Sequence, residues 1–288
     1  MSLPAVFEAF GPLAAEVGKA GVLTLRLEPR AGRTTVADQY WRIPLQVMPP
    51  SYQDEDDQAF VYLLNPTGGI VQGDRLETEM VLDPGARCVL STQSATKIYR
   101  MDQGYAKELN RYVLRGDAVL EYVPDQTIPF AGSRFYRSTR VEVDPGSTLI
   151  LTDLLAAGRV ARDERFGFEQ LFVEAEILVG GERRLVDRLE LSPREEALDR
   201  LGLWDGHAYY GSLFAYSPRI EPDLVSRLAE LIERRDGVYG GAGQPGANLA
   251  VARILGRTTW EIREVLFGAW DLLRRALVGK PARQLRKL

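Results

Sequence analysis

Three acids, Glu121, Asp153 and Glu164, could act as general acid and base if the fold set two of them face to face in a cleft. Arg134, Arg159, Arg162 and Arg165 surround them in sequence. Positive neighbours favour the ionised carboxylate and argue against the raised pKa that an acid catalyst needs. A structural network of arginines and acids is therefore the alternative. Lys97 could serve as an amine nucleophile if buried, or as an ion-paired surface lysine. Asp74 ends a glycine-rich run, Asn65-Pro66-Thr67-Gly68-Gly69-Ile70-Val71-Gln72-Gly73-Asp74. Such a loop could present Asn65, Thr67 and Asp74 from a stiff frame, or be a β-turn without chemistry. Softer chemistry is limited by counts: the chain has one cysteine, Cys88, and one histidine, His207. That excludes an intrachain disulfide and any multi-Cys or multi-His metal site made by this chain alone. Cys88 sits in an apolar run and reads as a buried small residue.

The elements that would position these residues read as strands. The apolar run Phe60–Leu64 leads into the glycine loop, and Arg75 to Leu82 leads out, with Leu76, Thr78, Met80 and Leu82 on one side. Pro66 fixes φ, and Gly68, Gly69 and Gly73 can take positive φ or admit another backbone. Further strands are expected at Val22–Leu27, Thr34–Tyr40 and Ile43–Val47, with a turn over Pro29–Gly32. Turn signals then recur every ten to fifteen residues through Asp144-Pro145-Gly146. The two Asp-Pro-Gly turns, at Asp83 and Asp144, hint at a repeated β unit with a period near sixty residues.

Helices are expected only late. Pro222–Arg235 carries Leu224, Val225, Leu228, Leu231 and Ile232 on one face. Thr258 and Glu261 have capping-box spacing and open a helix to about Leu277, with Leu249–Leu255 as a strand between the two helices. The fold class is mainly β (α+β): many short strands in a body with a hint of repetition, and two helices in the C-terminal third. The expected organisation is an N-terminal arm over 1–20, a single β-rich domain over 21–279 and a loose basic tail over 280–288.

Composition is that of a globular protein: 288 residues, 45% hydrophobic and 26% charged. A net charge of −4 argues against a dedicated nucleic-acid binder. No secretory signal or membrane-length apolar run is visible, so the expected location is cytoplasmic, with no membrane partner. The acidic run Asp54-Glu55-Asp56-Asp57 reads as a solvated loop. Gly241 to Gly246 matches GxGxxG literally, but a helix precedes it, Pro245 removes an amide and a strand follows. It reads as a flexible loop, not a dinucleotide fingerprint.

Three ordered stretches resemble one family. The loop 65–74 is similar to the NPTGGxxxGD signature of the urease accessory proteins of the D family (UreD, or UreH). Thr92-Gln93-Ser94-Ala95-Thr96-Lys97-Ile98-Tyr99-Arg100 is similar to its T-x-Q-x-A-T-K-x-Y-R pattern. Glu121 with Pro124, then Pro129-Phe130 with Ser133, then Asp153 with Gly158-Arg159 and Ala161-Arg162-Asp163-Glu164, follow its third pattern. Two departures stand out: Asp163 replaces the usual glycine of ARGE, and Gln72 replaces a frequent glycine.

The resemblance implies a non-enzymatic urease accessory protein, a nickel-delivery chaperone or scaffold. It would bind apo-urease and a helical partner, UreF, and through UreF the nickel-carrying GTPase UreG. It also implies transient nickel passing through a water-filled tunnel, with no tightly bound cofactor. One histidine and one cysteine leave mainly oxygen ligands, which make labile first shells. Candidate path-lining acids, chosen because they lie in the family-like motifs, are Asp74, Glu121, Asp153 and Glu164. Two other readings stay open: a β-rich hydrolase using paired carboxylates, and a protein-interaction scaffold with no metal role. For the scaffold, an exposed aromatic segment from Trp204 to Tyr216, containing His207, would make a binding face.

Overall fold

Period-2 alternation folds most of the chain into two facing sheets. The computed structural model describes residues 3–11, 18–53 and 57–285. Among these, sheet 1 runs β14 (Glu182–Leu191), β13 (Gln170–Val179), β11 (Arg134–Val143), β8 (Ala106–Leu114), β5 (Arg75–Leu82), β1 (Ala20–Arg30) and β2 (Arg33–Arg42). Sheet 2 runs β16 (Val238–Gly243), β17 (Leu249–Gly256), β15 (Tyr209–Tyr216), β12 (Thr148–Ala156), β9 (Val119–Tyr122), β6 (Arg87–Thr92), β4 (Ala59–Leu64) and β3 (Gln46–Val47). The short strands β7 (Thr96–Ile98) and β10 (Thr127–Pro129) pair beside sheet 2.

The chain alternates between the sheets as it climbs. It passes from β4 through β5, β6, β8, β9, β11 and β12 to β13, and strands of successive coils pair in parallel. This is a solenoid-like coil. Its corners stack: the amides of Asp83, Arg115 and Asp144 donate to Leu27, Leu82 and Leu114. The repeat is therefore about half the spacing suggested by the two Asp-Pro-Gly turns. The intervening corner, Arg115-Gly116-Asp117, makes the same turn without a proline, with Gly116 at φ 60°.

Helices α1 (Pro222–Glu233) and α2 (Thr259–Leu277) cover the outer face of sheet 2. Leu224, Val225, Leu228 and Ile232 of α1 and Ile262, Val265, Leu266, Ala269 and Leu273 of α2 are buried there. The expected capping box forms: Thr258 Oγ1 accepts from Glu261 N at 3.3 Å, and the Glu261 carboxylate accepts from Thr258 N at 2.9 Å. Two further apolar clusters lie between the sheets.

Several local expectations are corrected. Tyr209–Tyr216 is not an exposed face but the inner strand β15, with Tyr209 and Leu213 buried towards the helices and Phe214 and Tyr216 towards sheet 1. A strand covered on both faces reads as continuous apolar sequence, and exposure cannot be inferred from it. Trp204 is buried as well. Gly241 and Gly243 lie in the edge strand β16 rather than in a loop. Pro29 lies within β1, and the hairpin turns at Ala31-Gly32. A cis Ile43–Pro44 bond precedes β3, which is confined to Gln46–Val47. In the N-terminal arm Ala5–Phe10 forms a 3-10 helix that buries Phe7 against Tyr105 and Tyr136. At the start of the basic tail Lys280 Nζ lies 2.9 Å from Asp57 Oδ1 and Ala282 N donates to Asp271, while residues 286–288 of the tail, and 1–2 and 12–17 of the arm, lie outside the described residues. Asp54–Asp56 of the acidic run lie outside the described residues.

Candidate functional site

The family-like stretches stack along one side of the coil, in the connections that lead from sheet 2 to sheet 1. Ile70 N donates to Lys97 O and Tyr99 N to Ile70 O, each at 2.8 Å, which ties the glycine loop to the second stretch. Asn65 Oδ1 accepts from the Thr67 hydroxyl at 2.6 Å and from Thr67 N at 3.2 Å, an Asx-turn around exposed Pro66. Gly68 and Gly73 have φ near 80°. A Cβ on Gly69 would fall 2.4 Å from Tyr99 Cε2 and 2.7 Å from Lys97 O, so that glycine is required by close packing. Asp74 is buried, and its two oxygens accept from Lys19 N and Val71 N at 2.9 Å. Gln72 takes up a link of its own: Oε1 accepts from Asp102 N at 3.1 Å.

The ladder continues into the third stretch. Tyr99 meets Phe130 edge-on at 5.0 Å, and the Arg159 guanidinium lies 4.6 Å over Phe130. Arg159 Nε donates to both Glu164 oxygens at 3.0 and 3.1 Å, and Ala131 N donates to Glu164 at 2.9 Å. These bonds hold the Glu164 carboxyl below its ordinary pKa, the Arg159 hydrogen bond contributing most. Asp163 takes φ 57°, so an aspartate keeps the left-handed turn where the family pattern has glycine. Thr96 N donates to Gln126 O, Lys97 is exposed, Arg100 pairs with Asp102, and Arg162 is exposed on a 3-10 turn, Val160–Arg162.

Glu121 lies elsewhere, on the helix side of β9. It accepts from Gln58 Nε2 at 2.7 Å and Trp270 Nε1 at 2.6 Å, with Arg274 Nε at 3.7 Å. Burial pushes its pKa up, opposed mainly by Arg274. His207 is buried, with Nδ1 2.8 Å from Trp204 O. Glu121, Asp153 and Glu164 thus occupy separate surroundings: beneath α2, between the sheets and in an arginine-held loop. They do not form the facing pair that a glycoside hydrolase needs.

Asp153 belongs to a polar layer that runs between the two apolar clusters of the inter-sheet core. On sheet 1, Thr78, Asn110, Thr139, Ala175 and Asp187 stand in register across five strands. Beside them Glu108 pairs in register with Arg137. On sheet 2, Asp153, Ser212 and Arg253 stand in register with Gly241 at the edge. Arg137, buried, donates to Asp153 across the gap and to Thr127 Oγ1 at 3.0 Å. Asn110 Nδ2 donates to Glu108 at 2.8 Å. Arg253 donates to Asp187 across the sheet edges.

Two cavities lie in this layer and share Tyr122 and Arg137 in their walls. The first is lined by Glu108 and Asn110 and reaches Gly68, Gly69 and Lys97 of the motif side. The second contains Asp153, Ser212, Tyr210 and Asp187. Their walls offer carboxylate, amide and hydroxyl oxygens, which suit labile binding of a hard or borderline cation. Among the described residues no group of three or more His, Cys, Asp or Glu is gathered as a metal cluster. Sequence reasoning missed Glu108, Arg137, Asp187 and Arg253. The signal was present for Glu108: alternation places it with Asn110 on the face that carries Tyr112 and Leu114.

A sequence model of the family described as UreD urease accessory protein matches residues 19–287. The chain is 38% identical over 268 residues to the urease accessory protein UreD of Actinomyces naeslundii, covering 93% of this chain and 98% of that protein. It is 34% identical over 275 residues to the urease accessory protein UreD 2 of Streptomyces griseus subsp. griseus, covering 93% and 94%. To the urease accessory protein UreD of Acetivibrio thermocellus it is 31% identical over 249 residues, covering 86% and 95%.

Proposed function

Because the chain belongs to the UreD family of urease accessory proteins, we propose that it carries nickel to apo-urease along the polar layer between its sheets. Its general role is urease maturation, as an accessory protein and not an enzyme. The observation that carries the finer reading is the layer itself: Glu108 lines one cavity and Asp153 and Asp187 line the next, the two sharing Tyr122 and Arg137 as a common wall within an otherwise apolar core. A buried polar layer costs stability unless its groups are paired, and here the pairing arginines are also the feature that makes the path labile. Asp153 and Asp187 are each held by a guanidinium. A passing divalent cation replaces the arginine at a carboxylate and is in turn replaced by it, so no single site holds the ion tightly. Arg137 also fixes the position of the Asp153 carboxylate at the cavity wall.

Nickel is cargo in this scheme, received from the GTPase UreG through UreF and delivered to apo-urease. Among the described residues no helix is long and apolar enough to cross a membrane. The test is reconstitution: apo-urease, UreF, UreG, GTP, nickel and bicarbonate, with and without this chain. Activation that depends on the chain supports the role. Equal activation without it, in a mixture where the complex forms, overturns it.

A further inference from the structure

The coil has an open side. Sheet 1 ends there at β14 and sheet 2 at β17 and β16, and among the described residues no ladder hydrogen bonds join the two edges. What bridges them is the Asp187–Arg253 ion pair. The two partners are buried unequally: the Asp187 side chain is 13% exposed and that of Arg253 is 56% exposed. The carboxylate belongs to the inner cavity, whereas the arginine arm lies over its rim. Tyr210 flanks the pair from inside, and burial pushes its pKa up to about 12, so it stays a neutral hydroxyl.

Directly outside the pair is a second, open cavity, lined by Arg184, Val186, Asp187, Gly241, Gly243 and Arg253. Asp187 is common to both cavities, so this one ion pair and Tyr210 divide inside from outside. The outer floor is open at two positions, Gly241 and Gly243, beside Ala242 and Pro245. Gly241 stands opposite Arg253 in the ladder, and a Cβ on Gly241 or Gly243 would meet nothing within 4 Å. Gly241 does not adopt positive φ, so neither turn geometry nor close packing requires a glycine there. The empty space is where the Arg253 side chain turns if it leaves Asp187.

We propose that the Asp187–Arg253 pair is the latch of a side portal, through which small hydrated cations pass between solvent and the inter-sheet cavity over Gly241 and Gly243 of strand β16. The proposal rests on the ion-path reading of the polar layer and names one of its mouths. Swinging Arg253 outward exposes a carboxylate at the threshold and removes a positive charge from the passage. Closing it restores the pair and shuts the cavity. Arg137–Asp153, in the wall of the same inner cavity, has the same composition with the charges exchanged between sheets.

The test uses the full-length chain with Ser212→Cys, which places a thiol inside the inner cavity. Native Cys88 is fully buried, burial pushes its thiol pKa up, and the chain without the new cysteine gives the baseline. The probe is a small cationic methanethiosulfonate. Arg253→Gln should raise the labelling rate at position 212 by about tenfold, the loss expected when a charge-assisted bond is removed. Gly241→Phe, which leaves the ion pair intact and fills the outer floor, should slow labelling below that of the parent. Unchanged rates in both variants would overturn the portal, because entry would then be elsewhere. Altered labelling with wild-type nickel-dependent urease activation in both variants would retain the portal and overturn its part in the ion path. Lost activation with unchanged labelling would overturn the portal alone.

Discussion

Asp153 and Arg253 stand on one row of sheet 2 with Ser212 between them, and each is paired across the gap to an opposite charge on sheet 1. The partners are Arg137 and Asp187, so the two bridges have reversed polarity. The cavity between them is lined by Arg137, Asp153 and Asp187, with Arg253 on the outer side of Asp187. Each pair is neutral in itself, which lowers the cost of setting its charges between apolar clusters, and Glu108 adds a further acid beside Arg137.

The glycine loop is predicted to be an architectural element that holds the mouth of the first cavity. Gly69→Ala forces a Cβ against Tyr99 and the Lys97 carbonyl. The side chain can yield but the backbone oxygen cannot. A loss of about 1–3 kcal/mol is expected in urea denaturation, as for other overpacking changes. Wild-type stability would mean that the close approach relaxes freely.

Glu121 is predicted to be a structural anchor of α2. Glu121→Ala takes the carboxylate away from fully buried Arg274 and from the Trp270 indole. Removing one partner of a buried pair costs about 3–5 kcal/mol. Glu121→Gln keeps hydrogen-bonding atoms and should cost less. The pair of equilibrium unfolding curves checks the order, and an alanine variant as stable as the glutamine variant would remove the anchoring role.

Acid sensitivity is predicted to come in part from the Arg159–Glu164 and Arg111–Glu142 pairs. Both carboxyls have folded pKa values below the ordinary glutamate range, chiefly through hydrogen bonds from Arg159 and Arg111. Their contribution to stability is therefore present above the ordinary value and lost as pH falls through the folded value. Glu121, with its pKa raised by burial, acts in the opposite sense: its contribution is lost as pH rises through the raised value. Glu164→Gln should flatten the fall in urea midpoint as pH drops below the ordinary glutamate value of about 4.3. An unaltered slope would contradict the assignment.

Much of the fold was legible because it rests on local patterns. Alternation at Arg75–Leu82, the apolar faces of Pro222–Glu233 and Thr259–Leu277, and the Thr258–Glu261 box each declare their element within a few residues. The β15 strand was not legible, since burial on both faces removes the alternation that marks a strand. The candidate site was legible only in part, for a related reason. Motif residues such as Asn65, Gly69 and Arg159 build one side of the coil, and a sequence displays them as compact strings. The polar layer is written one residue per strand: Glu108, Arg137, Asp153, Asp187 and Arg253 are far apart in the chain and converge through strand register. Short-range spacing cannot reveal a row that lies perpendicular to the strands.

The most direct test of the ion path is nickel-dependent activation of apo-urease in the reconstituted mixture with UreF and UreG. It would compare the wild-type chain with Glu108→Gln, Asp153→Asn and the double variant, each confirmed to be folded by its melting curve. The account predicts reduced activation for each single variant and near-complete loss for the double variant, with complex formation intact. Wild-type activation by a folded double variant would contradict it.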